Sequence, residues 1–118
     1  MIEDSADTRE ATEALLCERG VDAVAVAGGA EGLTCLRDDL GYCLILLDWR
    51  MPEMDGEQFR RLQLRDAQIA DVPVVVVTGD PVTGSCVRTL GIGTVLRKPV
   101  DWCELSAAIT SHCRAARP

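Results

Sequence analysis

Apolar and polar positions along this chain alternate between helical and strand rhythms, and the changes of rhythm outline its elements. From Thr8 to Arg19, Ala11, Ala14, Leu15 and Cys17 recur on or near one helical face, with Asp7 placed to cap the start and Gly20 to end the helix. Val21 to Ala27 is a short valine-rich run broken by Gly28 and Gly29, which reads as a strand. Ala30 to Asp39 returns to helical spacing through Leu33, Leu36 and Leu40. Cys43 to Leu47 is wholly apolar and stops at Asp48, as a parallel strand covered on both faces would. Gly56 to Arg65 predicts a helix with Phe59 and Leu62 inward, and Val72 to Val77 a second buried strand that ends in Thr78. Pro73 lies at the start of that strand, where a missing N–H is tolerated. Pro81 and Gly84 weaken the helix expected over Val82 to Leu90, which should be short or mobile. Thr94 to Leu96 supplies a further strand and Val100 to Arg114 a last helix. From residue 8 the order is αβαβαβαβα, which implies an α/β fold with a parallel sheet, helices on both faces and right-handed crossovers.

Composition narrows the function classes. At 118 residues the chain suits one domain, residues 1–118, with no room for a separate output domain. Apolar residues make up 47% of it, yet no run reaches the roughly 20 residues of a membrane span. The first ten residues hold four acidic groups and no apolar stretch, unlike a secretory signal, so a cytoplasmic location is expected. Nineteen acidic against twelve basic side chains give a net charge of −7, the wrong sign for direct binding to nucleic acid. The six cysteines form no C-x-x-C pair or zinc-type cluster and read as reduced, structural thiols.

In an open parallel sheet, reactive groups gather beyond the carboxyl ends of the strands. Glu3 and Asp4 precede the first helix, Asp48 and Thr78 end the two buried strands, and Lys98 follows the last strand. Three carboxylates at one edge repel one another, and a hard divalent cation such as Mg²⁺ is their natural neutraliser. Thr78 and Lys98 add a hydroxyl donor and a point charge suited to a phosphoryl group. Lys98 is the only lysine among eleven arginines, in keeping with a site that needs a compact ammonium. His112, near the C-terminus, reads as an exposed helix residue; Trp49 is expected to lie exposed beside the site and Trp102 to pack the last helix.

These residues resemble the receiver domains of two-component response regulators over nearly the whole chain. Glu3-Asp4 is similar to the family's acidic pair, Leu46 to Gly56 to its phosphorylation loop, Thr78-Gly79 to its hydroxyl position and Lys98-Pro99 to its lysine. The D-x-x-M-P-x-M-D-G stretch from Asp48 is the most specific of these motifs. The resemblance implies a doubly wound, flavodoxin-like five-stranded parallel sheet of order 2-1-3-4-5. It implies that Asp48 takes a phosphoryl group from a sensor histidine kinase or phosphotransfer protein, with Thr78 and Lys98 binding phosphoryl oxygens. Mg²⁺ would sit on Asp4, Glu3 through water, Asp48 and the backbone carbonyl of Arg50. The domain would catalyse only its own phosphorylation and dephosphorylation and signal to a downstream protein or output domain, with no membrane partner and a homodimer left open.

The sequence departs from that pattern at three places. Only Met1 and Ile2 precede Glu3, where a first strand of about five residues is usual, so either the chain starts upstream or the sheet has a frayed middle. Val95 replaces the aromatic expected three residues before Lys98, leaving coupling to run sterically through Thr78 and the segment after it. Arg50 and Asp80 occupy the positions that tune phosphate lifetime in the family, and their opposite charges are expected to pair as a gate. Two other classes compete. A haloacid-dehalogenase-like phosphatase would need a second aspartate at position 50, which is Arg50. A binding-only receiver would keep the fold without the chemistry.

Overall fold

Four- and five-residue stretches rich in valine, leucine and isoleucine build the centre of the molecule. In the computed structural model, which describes residues 1–80, 82 and 84–113, three parallel strands pair in the order β1 (Ile45–Asp48), β2 (Val74–Thr78), β3 (Thr94–Arg97). Ile45 faces Val74 and Asp48 faces Val77; on the other side Val75 faces Thr94 and Thr78 faces Arg97. The two-residue period of a strand then sorts the side chains. Ile45, Leu47, Val74 and Val76 enter one core with Leu33, Leu36, Phe59, Leu90 and Ile92. Leu46, Val75 and Leu96 enter the other with Leu16, Leu105 and Ala108.

Among the described residues, five helices supply the covering layers: α1 (Ala6–Glu18), α2 (Gly29–Asp38), α3 (Gly56–Arg65), α4 (Gly84–Thr89) and α5 (Trp102–His112). From α2 onward helices and parallel strands alternate as expected, whereas α1 and α2 follow one another with no strand between them. The N-terminal part of the sheet is shorter than expected: Val21 to Ala27 is not a strand, and only Val26 bridges to Ile2, which bridges in turn to Leu47. Four backbone bonds of 2.8 to 3.0 Å hold Met1, Ile2 and Glu3 in that slot, among them Ile2 N–H to Leu46 and Glu3 N–H to Val26. The Met1 amino group adds a bond to the Val24 carbonyl at 2.7 Å, so Val21 to Ala27 is tied at Val24 and Val26 without forming a continuous ladder.

Several local expectations are corrected. Ser5, not Asp7, caps α1, its hydroxyl accepting the Thr8 N–H. That helix buries Leu16, while Ala11, Ala14 and Cys17 are exposed, because small side chains cannot span the gap to the sheet. Gly20 does end the helix in the left-handed region, at φ 78°. Leu40 lies past the end of α2 and is exposed. The α3 boundaries match the expected helix, but Leu62 faces solvent; Arg60 and Gln63 take the inward positions with Phe59. The helix α4 is six residues long, as a segment with Gly84 suggests, while Pro81, Thr83 of the expected weak helix and Arg114 of the expected last helix lie outside the described residues. Cys43 and Cys113 are joined in a disulfide, contrary to the expectation of six thiols; Cys17, Cys35, Cys86 and Cys103 remain thiols. Among the described residues no helix is long and apolar enough to cross a membrane.

Candidate functional site

Parallel pairing places Asp48 and Thr78, the last residues of β1 and β2, at the same edge of the sheet. The Ile2 bridge brings Glu3 to that edge, and Lys98 arrives directly after β3, its N–H donating to the Thr78 carbonyl at 2.9 Å. Glu3, Asp48 and Thr78 are buried, at 4%, 5% and 1% exposure, whereas Asp4 is exposed. One carboxylate oxygen each of Glu3, Asp4 and Asp48 lies within 4.8 Å of the others. Such a concentration of hard, anionic oxygen donors fits a divalent cation of the Mg²⁺ or Ca²⁺ class.

Lys98 partly neutralises the cluster. Its Nζ lies 3.0 Å from Glu3 Oε1 and 3.6 Å from Asp48 Oδ1. Burial, followed by hydrogen bonding to Glu3 and Asp4 and the Glu3 charge, pushes the Asp48 carboxyl up to about 7, and Lys98 opposes that rise only in part. For Lys98 itself, burial lowers the pKa, but the hydrogen bond to Glu3 and the charge of Asp48 outweigh it and hold the ammonium above its ordinary value.

The loop after β1 folds back over its own strand. The Arg50 N–H donates to Asp48 Oδ1 at 3.3 Å, Glu53 adopts φ 67°, and the Gly56 N–H returns to the Trp49 carbonyl at 2.9 Å. A Cβ at Gly56 would lie 2.6 Å from the Trp49 ring and 2.9 Å from its Cα, so the loop closes only with glycine there. Asp55 and Gln58 cap α3 reciprocally at this point. Trp49 is half-buried against the α3 core, not exposed as its neighbourhood to the site suggested, and Trp102 packs under α5 as expected. His112 is exposed.

Beyond β2, the Thr78 hydroxyl accepts the Asp80 N–H at 3.0 Å, and Arg97 donates to the Gly79 carbonyl at 3.5 Å. Arg50 Nε lies 3.2 Å from Asp80 Oδ2, with both side chains more than half exposed. Val95 is half-buried on the α3 and α4 side of the sheet. Sequence reasoning missed Arg9, which donates from α1 to the Glu3 carbonyl at 2.9 Å and the Asp4 carbonyl at 3.5 Å, tying down the backbone of the acidic pair. An arginine one turn into an exposed helix carries no periodic signal that would have set it apart.

A parallel α/β sheet that gathers three carboxylates, a buried hydroxyl and one lysine at its carboxyl edge defines a site able to hold a cation and a phosphoryl group. The family model described as the response regulator receiver domain matches residues 1–110, and the chain belongs to that family. It is 37% identical over 117 residues to the transcriptional regulatory protein HprR of Escherichia coli, an alignment covering 97% of this chain and 50% of that protein. It thus spans about half the length of this relative. A response regulator receiver protein from Pseudomonas putida shares the fold at a TM-score of 0.85 and 30% identity, over 93% of this chain and 92% of that one. The receiver domain of a sensor histidine kinase from Pseudomonas aeruginosa, solved with a magnesium ion coordinated in its active site cleft, matches at a TM-score of 0.82 and 25% identity, over 94% and 92% of the two chains. The function class is that of the phosphoacceptor switch of two-component signalling. In place of the second aspartate a dehalogenase-like phosphatase needs, Arg50 turns outward to Asp80.

Proposed function

We propose that Asp48 accepts a phosphoryl group from a phosphohistidine on a sensor histidine kinase or phosphotransfer protein. The observation that carries this reading is a carboxylate buried at a strand end, 3.6 Å from the only lysine and beside two further carboxylates. An Asp48 oxygen attacks phosphorus, the bond from phosphorus to the imidazole nitrogen breaks, and an acyl phosphate remains. Glu3 through water, Asp4, Asp48 and the Arg50 carbonyl would hold Mg²⁺, which when bound offsets the charge of carboxylates and phosphoryl oxygens. Lys98 then exchanges its contact with Glu3 for a phosphoryl oxygen, and the Thr78 hydroxyl turns from the Asp80 N–H to donate to another. With Val95 in place of an aromatic, that rearrangement reaches α4 through Thr78, Gly79 and Asp80.

On this reading residues 1–118 form one receiver unit that catalyses only its own phosphorylation and dephosphorylation, acts in the cytoplasm, and signals to a downstream protein or output domain. The single bridges from Ile2 to Val26 and Leu47 support the strand order 2-1-3-4-5 in abbreviated form. Incubation with acetyl phosphate and Mg²⁺ should add the mass of one phosphoryl group, absent in Asp48→Asn, and beryllofluoride should change Trp49 fluorescence. No mass gain in the wild-type protein would leave the binding-only module. Lys98→Arg keeps the charge but not the compact ammonium; it should still be phosphorylated while losing the fluorescence change.

A further inference from the structure

Cys43 and Cys113 occupy the end of the molecule opposite the phosphorylation site. Cys43 lies two residues before β1, whose other end is Asp48; five residues of extended chain span about 17 Å. Cys113 is the C-cap of α5. The disulfide brings their Cα atoms to 5.4 Å across a sequence separation of 70. It joins the end of α5 to the chain entering β1, beside the packing of Ile109 and Leu44 on the same core. The buried residues of α5 are Leu105 and Ala108, Ile109 is half-buried, and Thr110, Ser111 and His112 are exposed. In the last turn of α5 only Ile109 packs against the sheet's core, and past it the sulfur bridge is what ties Cys113 to the chain entering β1.

Two further observations bear on whether that bridge is permanent. Cys43 and Cys113 are both half-buried, neither being closed off in the core as Leu47 or Val75 is, and exchange depends on such access. Four other cysteines of the same chain remain thiols, including the exposed Cys17 and Cys103. In reducing surroundings a disulfide is typically transient, catalytic or redox-sensing.

We propose that Cys43 and Cys113 form a reversible redox site that fastens the end of α5, and with it the point from which the chain continues past residue 113, to the foot of β1. Closure is a thiol–disulfide exchange with a disulfide of the glutathione class. One protein thiolate attacks a sulfur of the incoming disulfide and expels one glutathione thiolate. The second protein thiolate then attacks the mixed disulfide at the protein sulfur, forms the intramolecular bond and expels the other. Two protein thiols are oxidised by two electrons, one external disulfide is reduced to two thiols, and the two protons pass to the released thiolates. Opening is the reverse. The site gives β1 an input at each end, phosphoryl transfer at Asp48 and oxidation at Cys43.

The test uses the whole chain equilibrated natively in glutathione buffers from oxidising to reducing, then alkylated in denaturant and weighed. The expected result is four alkylated cysteines at the oxidising end, six at the reducing end, and one two-electron transition between them. Six throughout, four throughout, or a disulfide-linked pair of chains would each overturn the proposal. Hydrogen exchange reads the mechanical consequence: amides 110–113 should exchange at least tenfold faster after reduction, with β2 unchanged. Cys43→Ser and Cys113→Ser should each show the fast pattern in both buffers. Equal exchange in the oxidised and reduced wild-type protein, or slow exchange in either variant, would show that the bridge does not fasten α5.

Discussion

Asp48 ties the chemistry of the site to the stability of the fold. Its pKa in the folded protein is about 7 against an ordinary 3.8, so the folded state holds a proton that the unfolded chain releases in the window between. Stability from this group is complete below about pH 4 and is lost as pH rises through 7. Without metal, the thermal midpoint should therefore fall over this range, and Asp48→Asn should flatten the fall and raise the midpoint at pH 8. Adding Mg²⁺ to the wild-type protein should do the same; an unchanged pH profile in Asp48→Asn would remove Asp48 as the source. At the same scale, the exposed Arg50–Asp80 pair is worth only about 0.2–1 kcal/mol, while a tenfold change in rate needs about 1.4 kcal/mol. We propose that it gates the water that hydrolyses the acyl phosphate. Arg50→Ala and Asp80→Ala should each shorten the phosphate lifetime by up to about fivefold, with a double variant no faster than either single; additive or slower rates would sink the gate. Asp48 and Thr78 were legible in the sequence because apolar runs stop abruptly at them, and Lys98 because it is the only lysine, whereas Arg9, acting through backbone carbonyls, had no such contrast.

Among elements, α3 was the most legible, since Asp55, Gly56 and Gln58 mark its start chemically and Arg65 its last turn. Its inward face was not. Arg60 and Gln63 are buried polar residues that a hydrophobic pattern assigns to solvent. Arg60 donates to the Leu90 carbonyl at 2.9 Å and to Gln63 Oε1 at 2.7 Å, while Gln63 donates to the Ile69 and Val72 carbonyls. Together they tie α3 to the end of α4 and to the segment before β2. Burial lowers the Arg60 pKa, and the guanidinium donates to carbonyl and amide oxygens. Arg60→Leu should leave Leu90 and Gln63 oxygens buried without donors, a loss of about 1–3 kcal/mol for each. Urea denaturation would measure it, and a midpoint equal to wild type would show that water replaces the guanidinium. The missed strand over Val21 to Ala27 has another cause: strand-forming composition describes a residue's fit to a pleated surface, and a ladder also needs a partner of matching length.

Across the whole molecule, unbroken apolar runs at β1 and β2 made it readable that both faces of the sheet are covered, while the sorting of their residues between the two cores, which carries no polar contrast, was not. The disulfide was not readable, because two cysteines 70 residues apart meet only once the chain has folded. Its closure restricts the unfolded chain, and loop-closure entropy puts the stabilisation at about 4 kcal/mol.

One residue links the cores to the acidic edge in a way that behaves like a dowel. The Ile2 side chain rests on Gly32, where any added Cβ would collide with it and would lie 3.3 Å from the Phe59 ring. The next residue is Glu3, so the positional tolerance of a carboxylate is set by how tightly its hydrocarbon neighbour fits a glycine socket. Cation affinity becomes a gauge of carpentry. Ile2→Val and Gly32→Ala leave the net charge at −7, yet each should weaken Mg²⁺ binding several-fold in a Trp49 fluorescence titration. Unchanged affinity in both would show that Arg9 and Lys98 align the acidic pair without the dowel.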